Sequence, residues 1–193
     1  MRDEAAALRQ QVSKLMTILY DSPSLTNRLL TTGILTPEQA SALGCMGYVG
    51  RASSLYFDVR RDAPYPPYDR LKVNGVLHHS GDVNARVRVR HEEIIASLDL
   101  IQALLAGMPG GAIHSEWQTP AEGSEGIGIV EGWRGEIISY ARFGGGGRIA
   151  RFFPRDPSWT TWPALEVLIH DNIVPDFPVC NKSVNGSYSG NDL

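Results

Sequence analysis

The residues of this chain that could carry chemistry are arginines set among acids. Arginine outnumbers lysine fifteen to three. Arg51, Arg60, Arg61, Arg86, Arg88, Arg90, Arg134, Arg142, Arg148, Arg151 and Arg155 crowd the middle and the later part of the chain. A guanidinium is planar, always charged, and pairs bidentately with carboxylates, so it is the cation suited to burial and to interfaces. Two uses fit this composition. One is a network of ion pairs with Asp58, Asp69, Asp82, Glu92, Glu93, Glu131 and Glu136. The other turns a few arginines into an interface or a cofactor-facing cleft.

Other chemistries find little support. The stretch ARFGGGGRIARFFPRDPSW, from Ala141 to Trp159, suggests a phosphate loop. A P-loop needs a lysine and a hydroxyl residue after its last glycine, and Arg-Ile-Ala follows here. A dinucleotide fingerprint lies between a strand and a helix, whereas both flanks here are strand-like. The four glycines therefore read as a hairpin tip. The histidines show no metal-ligand spacing, and no C-x-x-C pair is present. G-x-S-x-G is absent as well. Cys45 and Cys180 read as free thiols. A net charge of -3 argues against nucleic acid as a partner. No apolar run is long enough to span a membrane, and the N-terminus is too polar for a secretory signal.

The elements that must position these side chains follow from periodicity. Residues 3–20 predict a helix with Leu8, Val12, Leu15, Met16 and Leu19 on one stripe. Ser24 and Gly33 bracket a short helix at 25–32. Thr36, Pro37, Gln39 and Gly44 predict a capped helix. From Cys45 to Gly75 the chain has no period and reads as irregular. The longest helix runs from Asp82 to Leu105, with Val83, Val87, Ile94, Ile95, Leu98, Ile101, Leu104 and Leu105 as its buried stripe. After a polar loop come strands near 126–132, 136–143 and 148–153, then a helix near 161–170. The tail shows no period. This order predicts a single α+β domain over 1–193, mainly helical, with a partial helix bundle and a small antiparallel sheet in the C-terminal half.

Two stretches taken together carry a resemblance. GYVGRASSLYFDVRRDAPYPPYDRL and GDVNARVRVRHEEIIASLDLIQALLAGMPGG resemble the C-terminal half of the 49-kDa subunit of respiratory NADH dehydrogenase. They equally resemble the large subunit of membrane-bound [NiFe] hydrogenases of the formate-hydrogenlyase type. The matching positions are Arg51-Ala52-Ser53, Asp58 with Arg60, Pro64-Tyr65 with Tyr68, and Gly81-Asp82 with Arg86, Arg90 and Glu93. Glu131, Arg134 and Glu136 match a later E-x-x-R-G-E motif, and Arg155 to Ser158 match R-x-P-S.

The resemblance implies a part of a multi-subunit oxidoreductase, inactive alone, packed against a small subunit that carries a [4Fe–4S] cluster. It places Arg51, Arg134 and Arg155 toward that subunit or toward the former metal cleft. It implies a position on the cytoplasmic side of a membrane, held there through the complex. The nickel-binding cysteine pairs of the hydrogenases have no counterpart, so neither nickel nor any other cofactor is expected on this chain itself. The family's N-terminal half is also absent from these residues, so an apolar docking face and self-association of the isolated chain are expected. The second reading is a nickel-free scaffold protein derived from such a subunit.

Overall fold

The computed structural model describes residues 2–192. Its organising element is helix α6, Val83–Ala106. Asp82 caps it, accepting from the Ala85 N–H at 2.7 Å, and so satisfies one of the free amides at the helix start. Helix α1, Arg2–Tyr20, lies antiparallel along α6. Arg2 donates to the Leu105 carbonyl, Arg9 pairs with Asp99, and the Tyr20 hydroxyl donates to Asn84.

The short elements between them fill the core. Helix α2 is Pro23–Leu29, with Ser22 rather than Ser24 at its cap and its end at Leu30, ahead of Gly33. Pro23 explains the shift, because the first helical turn tolerates a missing N–H. Helix α3, Pro37–Ala42, carries the predicted capping box: Gln39 N–H donates to Thr36 Oγ1 at 3.2 Å, and Thr36 N–H to Gln39 Oε1 at 3.0 Å. The stretch expected to be irregular contains two helices, α4 (Gly47–Ala52) and α5 (Val59–Asp62). Every residue of α4 is buried. A helix of six residues has no amphipathic period to read, and its stability comes from tertiary packing.

The three strands are β1 (Glu125–Gly132), β2 (Gly135–Phe143) and β3 (Ile149–Arg155). They form one antiparallel sheet in that order. The tetraglycine is the β2–β3 turn, as predicted, with Gly146 and Gly147 at φ of 68° and 72°. Strand β3 runs two residues further than expected. Helix α7, Ser158–Leu168, starts earlier than expected and continues through Pro163. The tail, which shows no period, is helical in α8 (Phe177–Val184) and α9 (Tyr188–Asn191).

The β1–β2 turn is locked onto the body at two glycines. A Cβ on Gly47 would lie 2.1 Å from the Arg134 carbonyl oxygen, and one on Gly135 would lie 2.7 Å from Met46 Cγ. Both glycines also sit at positive φ, 59° and 128°. The core gathers Leu35, Tyr48, Val49, Val89, Leu165, Leu168 and Val184 where α3, α4, α6, α7 and α8 meet.

The apolar stripes are only partly covered. On α6, Val83 and Leu98 are buried, but Ile94 and Ile101 are exposed. On α1, Leu8 and Leu15 are exposed. Periodicity identifies the apolar face, but this chain leaves part of it open. Among the described residues, no helix is long and apolar enough to cross a membrane.

Candidate functional site

Five of the sequence-selected residues converge at one centre around Arg51. Its guanidinium is 2% exposed and sits where α4, α5, α6 and β1 meet. Nη1 donates to Glu131 Oε1 at 3.1 Å and to the Phe57 carbonyl at 2.9 Å. Nε donates to Glu93. Asp58 Oδ2 lies 3.8 Å from Nη1 and is itself held by Arg60 at 2.7 Å. Glu131 completes the cluster with its second oxygen, which accepts the Val59 N–H at 3.1 Å. One arginine thus ties two helices, a strand and the α5 cap into a single polar centre.

Burial decides its electrostatics. It raises the pKa of both Glu93 and Glu131 above the usual carboxylate value, and the nearby Arg51 charge only partly offsets this. Burial also works against the Arg51 charge, but Glu93, Glu131 and Asp58 together hold its pKa above the ordinary value. The cluster forms one wall of a cleft of ≈ 340 Å³, which is also lined by Arg90, Ile94, Ser97, Leu98 and Trp133. Arg90 lies over the rings of Tyr48 and Trp133, at 4.3 and 5.7 Å from their centroids. Its buried Nε has no hydrogen-bond partner, but its Nη2 donates to the Ser183 carbonyl, so that carbonyl and the ring faces together stabilise it. Sequence motifs do not select Trp133 or Tyr48 as residues of this region. The available signal is the tryptophan in the tight Gly132–Gly135 turn.

The remaining candidates lie elsewhere. Arg134 donates to the Asn185 carbonyl at 2.6 Å and pins the β1–β2 turn to the end of α8. Glu136 pairs with Arg155 across the sheet, beside Met46. Asp82 is a helix cap, and Glu92 pairs with His78 at 3.0 Å, so neither serves an arginine. Arg86 departs furthest from the ion-pair reading. It is fully buried and donates to the Gly33 carbonyl at 2.7 Å, the Gly81 carbonyl at 2.6 Å and Ser183 Oγ at 2.9 Å. Burial draws its pKa down to about 10.

Both thiols are free and buried. Cys45 donates to the Thr160 carbonyl, and burial pushes its pKa up to about 11. Cys180 is raised for the same reason. Among the described residues, no group of three or more His, Cys, Asp or Glu side chains could hold a metal ion.

The fold sets a buried arginine–carboxylate centre between a long helix and a small antiparallel sheet. The chain belongs to the family of the 49 Kd subunit of respiratory-chain NADH dehydrogenase, whose pattern matches residues 1–125. It is 33% identical over 172 residues to the carbon monoxide-induced hydrogenase of Rhodospirillum rubrum, covering 89% of this chain and 48% of that one. It is 31% identical over 190 residues to a component of the F(420)H(2) dehydrogenase of Methanosarcina mazei, covering 94% and 51%. Formate hydrogenlyase subunit 5 of Escherichia coli K12 is 29% identical over 191 residues, covering 99% and 34%. The chain thus spans about half or less of these relatives' length. Its fold matches a chain of the membrane-bound sulfane sulfur reductase, an archaeal respiratory membrane complex. The TM-score is 0.90 at 26% identity, over 100% of this chain and 54% of that one.

Proposed function

We propose that this chain works as part of the large subunit of a membrane-associated respiratory oxidoreductase. It packs against an iron–sulfur small subunit and shapes the site between the two. The observation that supports this most is the Arg51 centre, built from residues of four elements that carry the family's motifs. It faces a cleft that this chain lines on one side with charge and aromatic rings. Such a centre resists desolvation by a partner because its charges are already paired. The exposed apolar residues of α1 and α6 give a second surface for the rest of a large subunit. The complex holds the chain at the cytoplasmic side of the membrane, and its iron–sulfur cluster belongs to the partner. On this reading the chain itself binds no nickel. The scaffold reading gains nothing from the relatives, whose names are those of hydrogenase and dehydrogenase components.

The test is purification of the tagged chain from native membranes, with subunit identification and metal analysis. An iron-containing complex with a cluster-bearing subunit is expected. Recovery of the chain without other subunits would overturn the reading.

A further inference from the structure

We infer that the outer end of the three-stranded sheet docks an acidic, partly apolar segment of another protein chain. The inference rests on the reading that this chain works inside a multi-subunit assembly, but it concerns a different surface from the Arg51 cleft.

The register fixes which side chains share a face. Glu125, Arg142 and Arg151 form one cross-strand row, and Ile127, Tyr140 and Phe153 form the next. Arg142 and Arg151 are direct partners across β2 and β3. Like charges facing each other across a ladder destabilise it unless an anion lies between them. The acids nearby are otherwise placed. Glu125, across from Arg142 on the other edge, is engaged by the Tyr140 hydroxyl at 2.6 Å. Glu122 lies over the turn at Gly145. Among the described residues, Arg142, Arg151 and Arg148 at the turn make no ion pair, while their neighbour Arg155 is paired to Glu136.

The row beneath is open to solvent. Ile127 is 67% exposed and Phe153 is 43% exposed. Arginine and aromatic side chains on an apolar floor are the composition that enriches protein interfaces, from which lysine is depleted. The sheet contains no lysine. A membrane surface fits less well, because recognition of anionic lipid takes clusters of about four to eight cations. Three planar guanidiniums fit carboxylates on a protein segment, with apolar neighbours that cover Ile127.

The experiment uses the complex purified from native membranes, with the photocrosslinker p-benzoylphenylalanine in place of Ile127. Co-purification of other subunits with the unaltered chain tests the functional reading. The crosslink within that complex tests the surface. The expected result is a crosslink to one stoichiometric subunit, mapped to a segment containing Asp or Glu. In the Arg142→Glu/Arg151→Glu background its yield falls by about tenfold or more, and in Arg142→Lys/Arg151→Lys by much less. An unchanged thermal midpoint of the isolated variant chain separates this from misfolding. An intact complex with no crosslink, or a yield indifferent to charge reversal, overturns the inference. So does an unchanged crosslink combined with lost sedimentation on phosphatidylglycerol vesicles, which would assign the arginines to lipid.

Discussion

Glu131 and Arg51 lie eighty positions apart in sequence and share one hydrogen bond at 3.1 Å, with Glu131 3% and Arg51 2% exposed. The other Glu131 oxygen reaches across to α5. It accepts the Val59 N–H, so the β-hairpin is fastened to that helix through the same carboxylate. Removing Arg51 therefore leaves Glu93 and Glu131 without their cation, while Asp58 keeps Arg60. Arg51→Ala is expected to cost about 3–5 kcal/mol of stability, because a broken buried pair leaves uncompensated charge. Arg51→Lys should recover only part, since an ammonium cannot reproduce the fork that serves Glu93, Glu131 and the Phe57 carbonyl. Urea denaturation of the three proteins checks this, and a loss below about 1 kcal/mol in Arg51→Ala would count against the centre as described.

The same acids predict a pH signature. Glu93 and Glu131 hold a proton more tightly folded than unfolded, because burial raises their pKa. The folded state therefore binds more protons just above the ordinary glutamate range, and stability from these two groups falls as pH rises through that window. Below the window both states are protonated and the slope vanishes. Glu93→Gln should flatten this downward slope between about pH 4.3 and neutrality. Unfolding free energies measured across that range decide it, and an identical slope in the variant would rule it out.

Gly47 and Gly135 should be intolerant of even a methyl group. Gly47→Ala and Gly135→Ala each force a Cβ into backbone or Met46 at positive φ. Each should lose at least about 2 kcal/mol. Gly126→Ala is the control, since nothing lies within 4 Å of its Cβ position. It should stay within about 0.5 kcal/mol of the parent. Equal effects at all three sites would refute the locked turn.

Both thiols should be silent in the folded chain. At pH 8 the Cys45 thiol, near pKa 11, is only about one part in a thousand thiolate; burial raises the Cys180 thiol as well, and both are buried. A disulfide-exchange reagent should titrate neither until denaturant is added. Rapid reaction of one thiol in the native protein would contradict its placement.

Much of this architecture is legible in local signals. The Thr36–Gln39 box and the strand character of β1 and β2 are short-range chemistry, and each reappears in place. Helices α4, α5, α8 and α9 stay hidden because four to eight residues cannot display a helical period. Tertiary contacts hold them instead, as with Tyr48, whose hydroxyl donates to the Val184 carbonyl. The site is half legible. The motifs select Arg51, Asp58, Arg60, Glu93 and Glu131, which do meet. Sequence does not distinguish an arginine that meets a carboxylate from one that meets carbonyls, and Arg86 is the second kind. The α1 and α6 stripes show the converse limit, because a period says which face is apolar and not whether this chain covers it.

Arg86 has a consequence for how the protein is made. Its three acceptors come from residues 33, 81 and 183, and the last belongs to α8, a hundred and fifty residues after the first. On the ribosome, every nascent chain that stops before Ser183 carries this guanidinium into a core whose clasp is incomplete. Domains settle as units while synthesis proceeds, and a buried cation with an unmet donor opposes early settling. Closure of the clasp around Arg86 therefore requires α8 as well as the segments at Gly33 and Gly81.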